Sequence, residues 1–344
     1  MLQTNLRLGE FEHAQIGLFD FVAGDFASAA SYFGLGLHEA YLIAHVRDHA
    51  HNRHLHMVRP IMLRTSTGAS FSVSREDGVY QDPRTQNFLR GGNFDRRIEG
   101  DNLVFAGSSG FWAGAASQTV EVAIGKTLSW SDSGHVRLEG RLLGPGTQAY
   151  IPSRDGDAAG GLCHTALFYE ATGTLFDEPV AGIVIIEQAF SPPGQILSDS
   201  AVRRRFGGAW NGFATVFEDG TVQYGHLTYG RGPFRYANIV DGGQHISCPV
   251  RSVSAETHAD GLGSRLEHQL ANGERWEFVA ERNGAMRDMI ALAARLKSTA
   301  QLHKGHVGRV GENRPRRNWY SIQEWIPERL VGGDAAFEHA PRGF

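Results

Sequence analysis

Short apolar or alternating runs, separated by glycine-containing turns, extend over most of the chain. Val180–Ala189 is an apolar run, and Phe213–Glu218 leads through Asp219-Gly220 into the alternating run Thr221–Leu227. β-Branched and aromatic runs between turn signals predict strands, and Asp-Gly, Asn-Gly or Ser-Gly between two runs predicts a hairpin. Many such strands in series predict an all-β sandwich or barrel.

The same pattern divides the chain into two halves. In the first half the expected strands are Glu39–Val46, Leu55–Leu63, Ser70–Ser74, Leu103–Ala106, Thr119–Ile124, Lys126–Ser131, His135–Leu142, Cys163–Ala171 and Val180–Ala189. In the second half they are Trp210–Glu218, Thr221–Tyr229, Arg235–Val240, Val250–Thr257, Gly263–Leu270, Arg275–Glu281 and Trp319–Trp325. The proline- and arginine-containing stretch 191–205 interrupts this rhythm and predicts a domain connection. We therefore expect one domain over residues 1–195 and another over 206–344.

Helical periodicity is weak or absent except near the C-terminus. Met286, Met289, Ile290, Ala293 and Leu296 repeat at spacings of three and four, which predicts one late helix. The region 19–33 has a similar but weaker spacing of small and aromatic residues. One convincing helix in 344 residues leaves the fold class all-β.

Composition narrows the class of protein. Hydrophobic residues make up 41% and charged residues 20%, so the chain can bury a substantial core. A net charge of −4 argues against general binding of nucleic acid. We expect a cytoplasmic protein, since the first residues lack a secretory signal and no apolar run is long enough to span a membrane. Cys163 and Cys248 are then expected to be free thiols.

Three segments give the chain a family resemblance. They are His38–Tyr41, the glycine-led apolar run Gly182–Phe190, and Trp210–Phe213 at the start of the second half. With them, residues 35–330 resemble the lipocalin-like two-barrel proteins that include AttH-type proteins and carotenoid 1,2-hydratase. The resemblance implies two lipocalin-like antiparallel β-barrels packed side by side, with a cavity for an apolar ligand in or between them. Relatives of this kind include hydratases, cyclases, isomerases and proteins with no assigned activity.

Five histidines fall within twelve residues of a predicted hairpin: His45, His49, His51, His54 and His56. Imidazole is a common metal ligand, and the hairpin can bring the two ends of this set together. No acidic ligand follows at a suitable spacing. A solvated, histidine-rich hairpin is therefore favoured over a metal site or a proton relay, and we predict no bound metal or other cofactor.

The two faces of the first predicted strand differ in polarity. The more polar face carries Glu39, Tyr41, Ile43 and His45, and the more apolar face carries His38. The polar face is either solvent-exposed or lines a cavity. If it lines a cavity, Glu39 and Tyr41 would contact the substrate.

Glu187 is the main candidate for chemistry. It follows Gly182–Ile186, a run that is apolar on both faces and therefore predicts a buried strand. Burial would raise the pKa of its carboxyl, which could then act as a general acid or base. The alternative is a carboxylate that reaches solvent or pairs with an arginine from 203–205.

Other candidates surround Glu187 in the predicted fold. Tyr169 and His164 lie on the strand expected to pair with that of Glu187, and a buried phenol can orient a substrate oxygen. We assign catalysis to Glu187 with His38, His45 and Tyr169 as helpers. Binding of the substrate is assigned to Glu39, Tyr41, Trp112, Trp130, His164 and Trp210, although each tryptophan is also compatible with plain core packing.

These residues predict a lyase or isomerase that works without a cofactor on an apolar small molecule of terpenoid, steroid, polyketide or aromatic type. Hydration, dehydration, isomerisation or cyclisation would proceed by general acid–base catalysis in a barrel cavity. The alternatives are a carrier or sensor of hydrophobic ligands and a metal-dependent enzyme using the His45–His56 hairpin. The expected partners are the small molecule and, in a homodimer, a second copy of the chain, with no nucleic acid and no membrane span.

Overall fold

The computed structural model describes residues 3–6, 15–27, 33–62, 65–67, 69–85, 90–110, 112, 118–152, 161–192, 208–230, 234–295 and 298–331. The strands of the first sheet are β1 (Gln3–Leu6), β2 (Gln15–Phe19), β3 (Gly36–Asp48), β4 (Arg53–Met62), β5 (Thr65–Thr67), β6 (Ser70–Ser74), β7 (Val79–Gln81), β8 (Arg90–Glu99), β9 (Asn102–Ser109), β10 (Gln118–Ile124), β11 (Thr127–Asp132), β12 (Val136–Leu142), β13 (Gly146–Ile151), β14 (Leu162–Leu175) and β15 (Glu178–Ser191). The second sheet contains β16 (Ala209–Phe217), β17 (Val222–Tyr229), β18 (Arg235–Asp241), β19 (Gln244–Thr257), β20 (Gly263–Leu270), β21 (Arg275–Ala285), β22 (Gln301–Arg309) and β23 (Arg316–Trp325). The helices among the described residues are α1 (Ala23–Ala27), α2 (Arg287–Arg295) and α3 (Pro327–Val331).

The first sheet curls into a barrel. Its strands pair in the order β1-β2-β13-β14-β12-β11-β10-β9-β8-β5-β4-β3-β15, and β15 also pairs with β14. This last pairing joins the end of the path back to its middle, so the strands from β14 round to β15 form a closed circuit. β1, β2 and β13 continue from β14 as a branch, and β6 and β7 continue from β4.

The hairpin between β14 and β15 fixes the register of the longest strand pair. Leu175 pairs with Glu178 across a two-residue turn, and Phe176 and Asp177 have φ of 53° and 65°. Two consecutive positive φ angles are typical of the type I′ turn, which matches the twist of the strands. From this turn the pairing continues without interruption to Cys163 and Phe190.

The second sheet is a closed barrel in which β16 to β23 follow one another in chain order. Two of its hairpins contain the predicted turn glycines, with φ of 83° at Gly220 and 92° at Gly273. β16 closes the barrel by pairing with β23, from Ala209 opposite Trp325 to Phe217 opposite Arg316. Each barrel encloses its own apolar core.

A third apolar layer joins the two barrels, and we call it the seam. On the first barrel it contains the outward side chains of β14 and β15, and on the second barrel those of β16, β17, β18 and β23. Its buried members are Ala166, Phe168, Ile183, Ile185, Ala214, Val216, Tyr224, Val240 and Tyr320. Hydrogen bonds cross the seam, as when Asn238 Nδ2 donates to the carbonyls of Gly17 (3.0 Å) and Gln148 (2.9 Å). Strands β14 and β15 are therefore buried on both faces.

The predicted fold class, an all-β chain of two antiparallel barrels with a helix near the C-terminus, is confirmed. The Ser133-Gly134 hairpin and the free state of both cysteines are confirmed as well. The weak helical pattern over 19–33 is borne out at α1 (Ala23–Ala27) and not at Phe19, which ends β2, while 28–32 lie outside the described residues. The domain connection predicted over 191–205 falls mostly outside the described residues. The predicted domain limits, 1–195 and 206–344, therefore stay a prediction. None of the described helices has the length and apolar composition that a membrane crossing requires.

Candidate functional site

The register of three strands gathers polar side chains on the outward face of the first barrel. Glu187 on β15 pairs with Ala166 on β14 and with Tyr41 on β3. Two residues further along β15, and therefore on the same face, Ala189 pairs with His164 on β14 and with Glu39 on β3. Side chains two residues apart share a face, so His164, Glu187, Tyr41 and Glu39 lie together. Tyr41 Oη donates to Glu39 Oε2 at 3.1 Å.

The second barrel completes this site with residues from β16 and β17. His226 Nε2 lies 3.4 Å from Glu187 Oε1, and His164 Nε2 lies 3.9 Å from Glu187 Oε2. Trp210 covers both imidazoles, with ring centroids 5.0 Å from His164 and 5.0 Å from His226. We call His164, Glu187 and His226 the His–Glu–His set.

The set is largely but not completely buried. The exposed fractions of the side chains are 18% for His164, 16% for Glu187 and 3% for His226. Tyr236 of β18 lies in the apolar cluster that contains Ala189 and Trp210. Burial, with a contribution from the Glu187 charge, raises the pKa of Tyr236 and keeps its phenol neutral. Solvent therefore reaches the site past His164 and Glu187, while its remaining walls are mainly aromatic.

The carboxyl of Glu187 is ionised, contrary to the sequence-based expectation. Burial acts to raise its pKa, but the hydrogen bonds and charges of His164 and His226 together outweigh burial and bring the pKa below its ordinary value. The expectation of a raised pKa was wrong because it considered burial without the two imidazoles. Burial lowers the pKa of His226, and the contact with Glu187 offsets part of this effect.

A small residue and a hydroxyl support the set. Gly212 of β16 pairs with His226, and a Cβ at Gly212 would lie 3.3 Å from Glu187 Oε1 and 3.4 Å from His226 Nε2. Thr147 Oγ1 lies 3.3 Å from His226 Nδ1, on the far side of the ring from Glu187. Thr147 can thus fix the orientation of the imidazole, and Gly212 leaves the space beside the carboxylate open.

The set also has the spacing of metal ligands. One ligand atom each from His164, Glu187 and His226 lies within 4.8 Å of the other two. Within the described ranges the same spacing occurs once more, in Asp48, His51 and Glu178. In that second group Arg53 Nε already donates to Asp48 Oδ2 at 2.9 Å.

Tyr169 and Trp130 do not belong to the site. Both are buried in the core of the first barrel, and Tyr169 Oη donates to the carbonyl of Gly125 at 2.8 Å. Tyr169 is an odd number of residues from His164 on one strand, so the two side chains point to opposite faces. The structure contradicts the assignment of Tyr169 as a helper of Glu187 and of Trp130 as a binding residue.

Trp112 and His38 are also separate from Glu187. Trp112 Nε1 approaches His135 Nε2 at 3.0 Å, and the Trp112 indole stacks on Phe176 at 5.4 Å, at the turn between β14 and β15. His38 is the extra residue of a bulge in β3, where Leu37 and Glu39 pair with the neighbours Phe190 and Ala189. No contact joins His38 to Glu187 in the described part of the chain. The structure thus places both residues away from Glu187, and their assigned roles stay predictions.

His45 lies in a second polar cluster within the interface of the two barrels. Its Nε2 is 3.1 Å from Nδ1 of His54, and it pairs with His56 across β3 and β4. Lys304 of β22 is fully buried beside them, and its charge lowers the pKa of both His45 and His56 after the larger effect of burial. We call His45, His54, His56 and Lys304 the amine cluster. The favoured solvated hairpin is wrong at His45 and His56, which are buried, while the metal-dependent alternative remains a prediction.

Sequence reasoning identified Glu187, His164 and Trp210 but missed His226, Thr147 and Gly212. His226 stands in the alternating run of β17, and Gly212 directly follows Trp210-Asn211. Neither has a motif of its own. Only the packing of the second barrel against the first brings them to Glu187, and no local pattern specifies that packing.

Comparisons with known proteins gave similar solved structures but no family. No protein-family model matches the chain, and no curated protein matches it. An AttH-type protein from Nitrosomonas europaea has a similar structure, with a TM-score of 0.45 and 10% identity over 84% of this chain and 92% of the other. Kievitone hydratase from Nectria haematococca is similar with a TM-score of 0.34 and 7% identity over 84% and 89% of the two chains.

Proposed function

We propose that the protein is a lyase that adds water to, or removes water from, an apolar small molecule by acid–base catalysis at the His–Glu–His set. The observation that carries this proposal is the geometry of Glu187, a buried and ionised carboxylate with an imidazole on each side. An imidazole can exchange protons with a substrate near neutral pH, and a neighbouring carboxylate stabilises its protonated form.

The roles follow from position. For addition of water to a carbon–carbon double bond, His164 accepts a proton from water while the water oxygen bonds to one carbon, and the ionised Glu187 stabilises the imidazolium that forms. The imidazolium then donates this proton to the other carbon, which restores His164. Dehydration follows the same steps in reverse. His226, oriented by Thr147, holds the carboxylate in place.

Apolar surfaces beside the set favour an apolar substrate. Trp210 covers the two imidazoles, Phe168 lies 5.8 Å from His226 by ring centroids, and Tyr236 closes the neighbouring cluster. Flat aromatic walls of this kind suit terpenoid, steroid, polyketide or aromatic molecules. Isomerisation or cyclisation would use the same proton transfers without incorporation of water.

The test is turnover of unsaturated apolar compounds in water enriched in oxygen-18, followed by mass spectrometry. We expect the wild type to incorporate the label, and Glu187→Gln to lose the activity while keeping the melting temperature. Glu170→Gln is the matched control, because Glu170 lies on β14 at the interface of the barrels but pairs with Arg317 at 2.9 Å. Full activity of Glu187→Gln would refute the assigned role of this residue.

A carrier of hydrophobic ligands is the second candidate, and a separate cavity favours it. The cavity measures about 250 Å³ and lies between β4, β6 and the β14–β15 hairpin. Its lining residues are Arg53, Leu55, Phe71, Val73, Asp82, Arg84, Leu175 and Phe176. A carrier would retain an unchanged ligand in native mass spectra, and the retention would survive Glu187→Gln.

A further inference from the structure

The charge of Glu187 is not balanced in the way that other carboxylates of this protein are. Asp132 accepts two hydrogen bonds from the guanidinium of Arg59, both at 2.7 Å, and Asp48 is bound by Arg53. In the described ranges no lysine or arginine makes an ion pair with Glu187, and its close partners are the two imidazoles of the His–Glu–His set. Both carboxylate oxygens therefore face imidazole nitrogens, and these three groups are of the types that bind a metal ion together.

The ligand atoms have the spacing of a single metal ion. Zinc binds imidazole nitrogen and carboxylate oxygen at about 2.0–2.2 Å, so two ligands of one tetrahedral ion stand roughly 3.3–3.6 Å apart. The two contacts of Glu187 measure 3.4 Å to His226 and 3.9 Å to His164. The rings of His164 and His226 are nearly perpendicular, at 88° with centroids 5.2 Å apart. Small side-chain rotations would bring all three atoms to bonding distance.

Two further features are typical of a metal site. Metal-bound histidines usually make a hydrogen bond with the ring nitrogen that does not face the metal, and Thr147 Oγ1 is 3.3 Å from that nitrogen of His226. A Cβ at Gly212 would lie 3.3 Å from Glu187 Oε1 and 3.4 Å from His226 Nε2, so the absence of a side chain there spares both ligand atoms a tight contact. Together these features would orient one ligand and keep a steric obstacle away from two of them.

We propose that His164, Glu187 and His226 bind one divalent transition-metal ion, with Zn²⁺ as the best match to two imidazoles and one carboxylate. Catalytic zinc sites with this ligand set keep a coordination position for water. The use of the metal rests on the proposed function: a bound ion would supply the water for addition or removal, and His164 and Glu187 would then act as ligands in place of the acid–base roles given above. The binding itself does not depend on that function.

The experiment uses full-length protein without a histidine tag, stripped with a chelator and titrated with ZnSO₄ by calorimetry and with CoCl₂ by visible absorption. We expect one ion per chain with micromolar or tighter affinity, and cobalt absorption bands of a four- or five-coordinate site. His164→Ala and the isosteric Glu187→Gln should abolish the tight binding. Thr147→Val should weaken it by about 10- to 100-fold.

His51→Ala is the matched control, because it removes a ligand from the second group with metal spacing, Asp48, His51 and Glu178. The control should bind like the wild type. The proposal is overturned if no ion binds more tightly than millimolar, or if the affinity is the same in wild type, His164→Ala and Glu187→Gln. Circular dichroism of each stripped variant verifies folding, and Glu187→Gln keeps the test valid if His164→Ala does not fold.

The failures of the two proposals are distinguishable. Stripped protein that retains full incorporation of labelled water would refute the use of the metal in the reaction and leave the acid–base function standing, while the titrations decide the binding itself. Protein that binds one zinc ion through these residues but incorporates no label from any compound would refute the lyase and leave the metal site standing.

Discussion

Gly212 is the residue on which the space at the His–Glu–His set depends. The φ angle of Gly212 does not lie in the left-handed region, so its backbone conformation is open to alanine. The added methyl group would lie within 3.3–3.4 Å of Glu187 and His226. We predict that Gly212→Ala reduces turnover and zinc affinity at least tenfold while changing the melting temperature little. Turnover equal to wild type, measured beside thermal unfolding, would contradict this account of the site.

Tyr169 provides the opposite case, a residue whose phenol serves only stability. Its hydroxyl donates to the carbonyl of Gly125 inside the first barrel. Removing it in Tyr169→Phe leaves a buried carbonyl without this partner, and we expect a loss of about 1 kcal/mol in the free energy of unfolding. Urea denaturation measures the loss, and turnover should remain at the wild-type level. A variant that is stable but inactive would restore Tyr169 to the mechanism.

The amino-acid pattern identified part of the site. Glu187 was recognisable because a carboxylate at the end of Gly182–Ile186 stands out against an apolar run. Side chains alternate between the two faces of β14, so the sequence alone already places Tyr169 and His164 on opposite faces of that strand. His226 reaches the site through its contact with Glu187, which lies 39 residues earlier in the sequence. The local pattern of β17 does not indicate this contact.

At the scale of elements, the β14–β15 hairpin has an unusual turn. Phe176 and Asp177 both adopt left-handed backbone, which costs non-glycine residues about 1–2 kcal/mol each. Phe176 contributes packing against Phe71 and Trp112, with ring centroids 4.7 and 5.4 Å away. Asp177 is exposed.

We therefore predict that Asp177→Gly raises the free energy of unfolding by up to about 1 kcal/mol, because glycine adopts this conformation without strain. Phe176→Gly should instead destabilise the protein, since it removes the aromatic contacts together with the strain. Equilibrium unfolding of both variants is the measurement. A loss of stability in Asp177→Gly would show that the aspartate side chain stabilises the turn.

Strands with a clear hydrophobic pattern were predicted from the sequence, and strands whose hydrophobic pattern is weak were missed. β14 and β15 are apolar on both faces because one face packs in the first barrel and the other in the seam. β8 reads Arg-Gly-Gly-Asn-Phe-Asp-Arg-Arg-Ile-Glu, whose charges hide the alternation, and pairing with β9 makes it a strand. β22 interleaves glycines and histidines, and neighbours on both sides stabilise it.

On the scale of the whole molecule, the interface of the barrels carries two buried polar groups, the His–Glu–His set and the amine cluster. Burial lowers the pKa of Lys304 from its ordinary value of 10.5 to about 7, while the charge of Glu281 offsets part of the effect. Burial lowers the pKa of His45, His54 and His56 too. These bases are held largely neutral between the barrels.

This arrangement predicts how stability changes with pH. Between about pH 7 and 10.5 the unfolded chain binds a proton at Lys304 that the folded protein does not, so the free energy of unfolding rises with pH across this window. Below pH 6.5 the unfolded chain also binds protons at His45 and His56 that the folded protein does not. The free energy of unfolding therefore falls as the pH falls through this range. The folded protein should be least stable at acidic pH.

Lys304→Met tests this prediction, because methionine fills the same space without a charge. We expect it to raise the free energy of unfolding at pH 7 by about 1–4 kcal/mol. The dependence on pH above 7 should become flatter, whereas the fall below pH 6.5 should remain. Denaturant unfolding at several pH values gives both results, and a destabilised variant with unchanged pH dependence would show that the ammonium has a favourable partner.

The central claim is that the His–Glu–His set between the barrels is the reactive centre of the protein. The most direct test compares wild type, Glu187→Gln and Glu170→Gln for incorporation of oxygen-18 from water into a panel of unsaturated apolar compounds. The account predicts incorporation by wild type and Glu170→Gln, and none by Glu187→Gln at an unchanged melting temperature. Equal incorporation by Glu187→Gln, or no incorporation by the wild type into any compound, would contradict it.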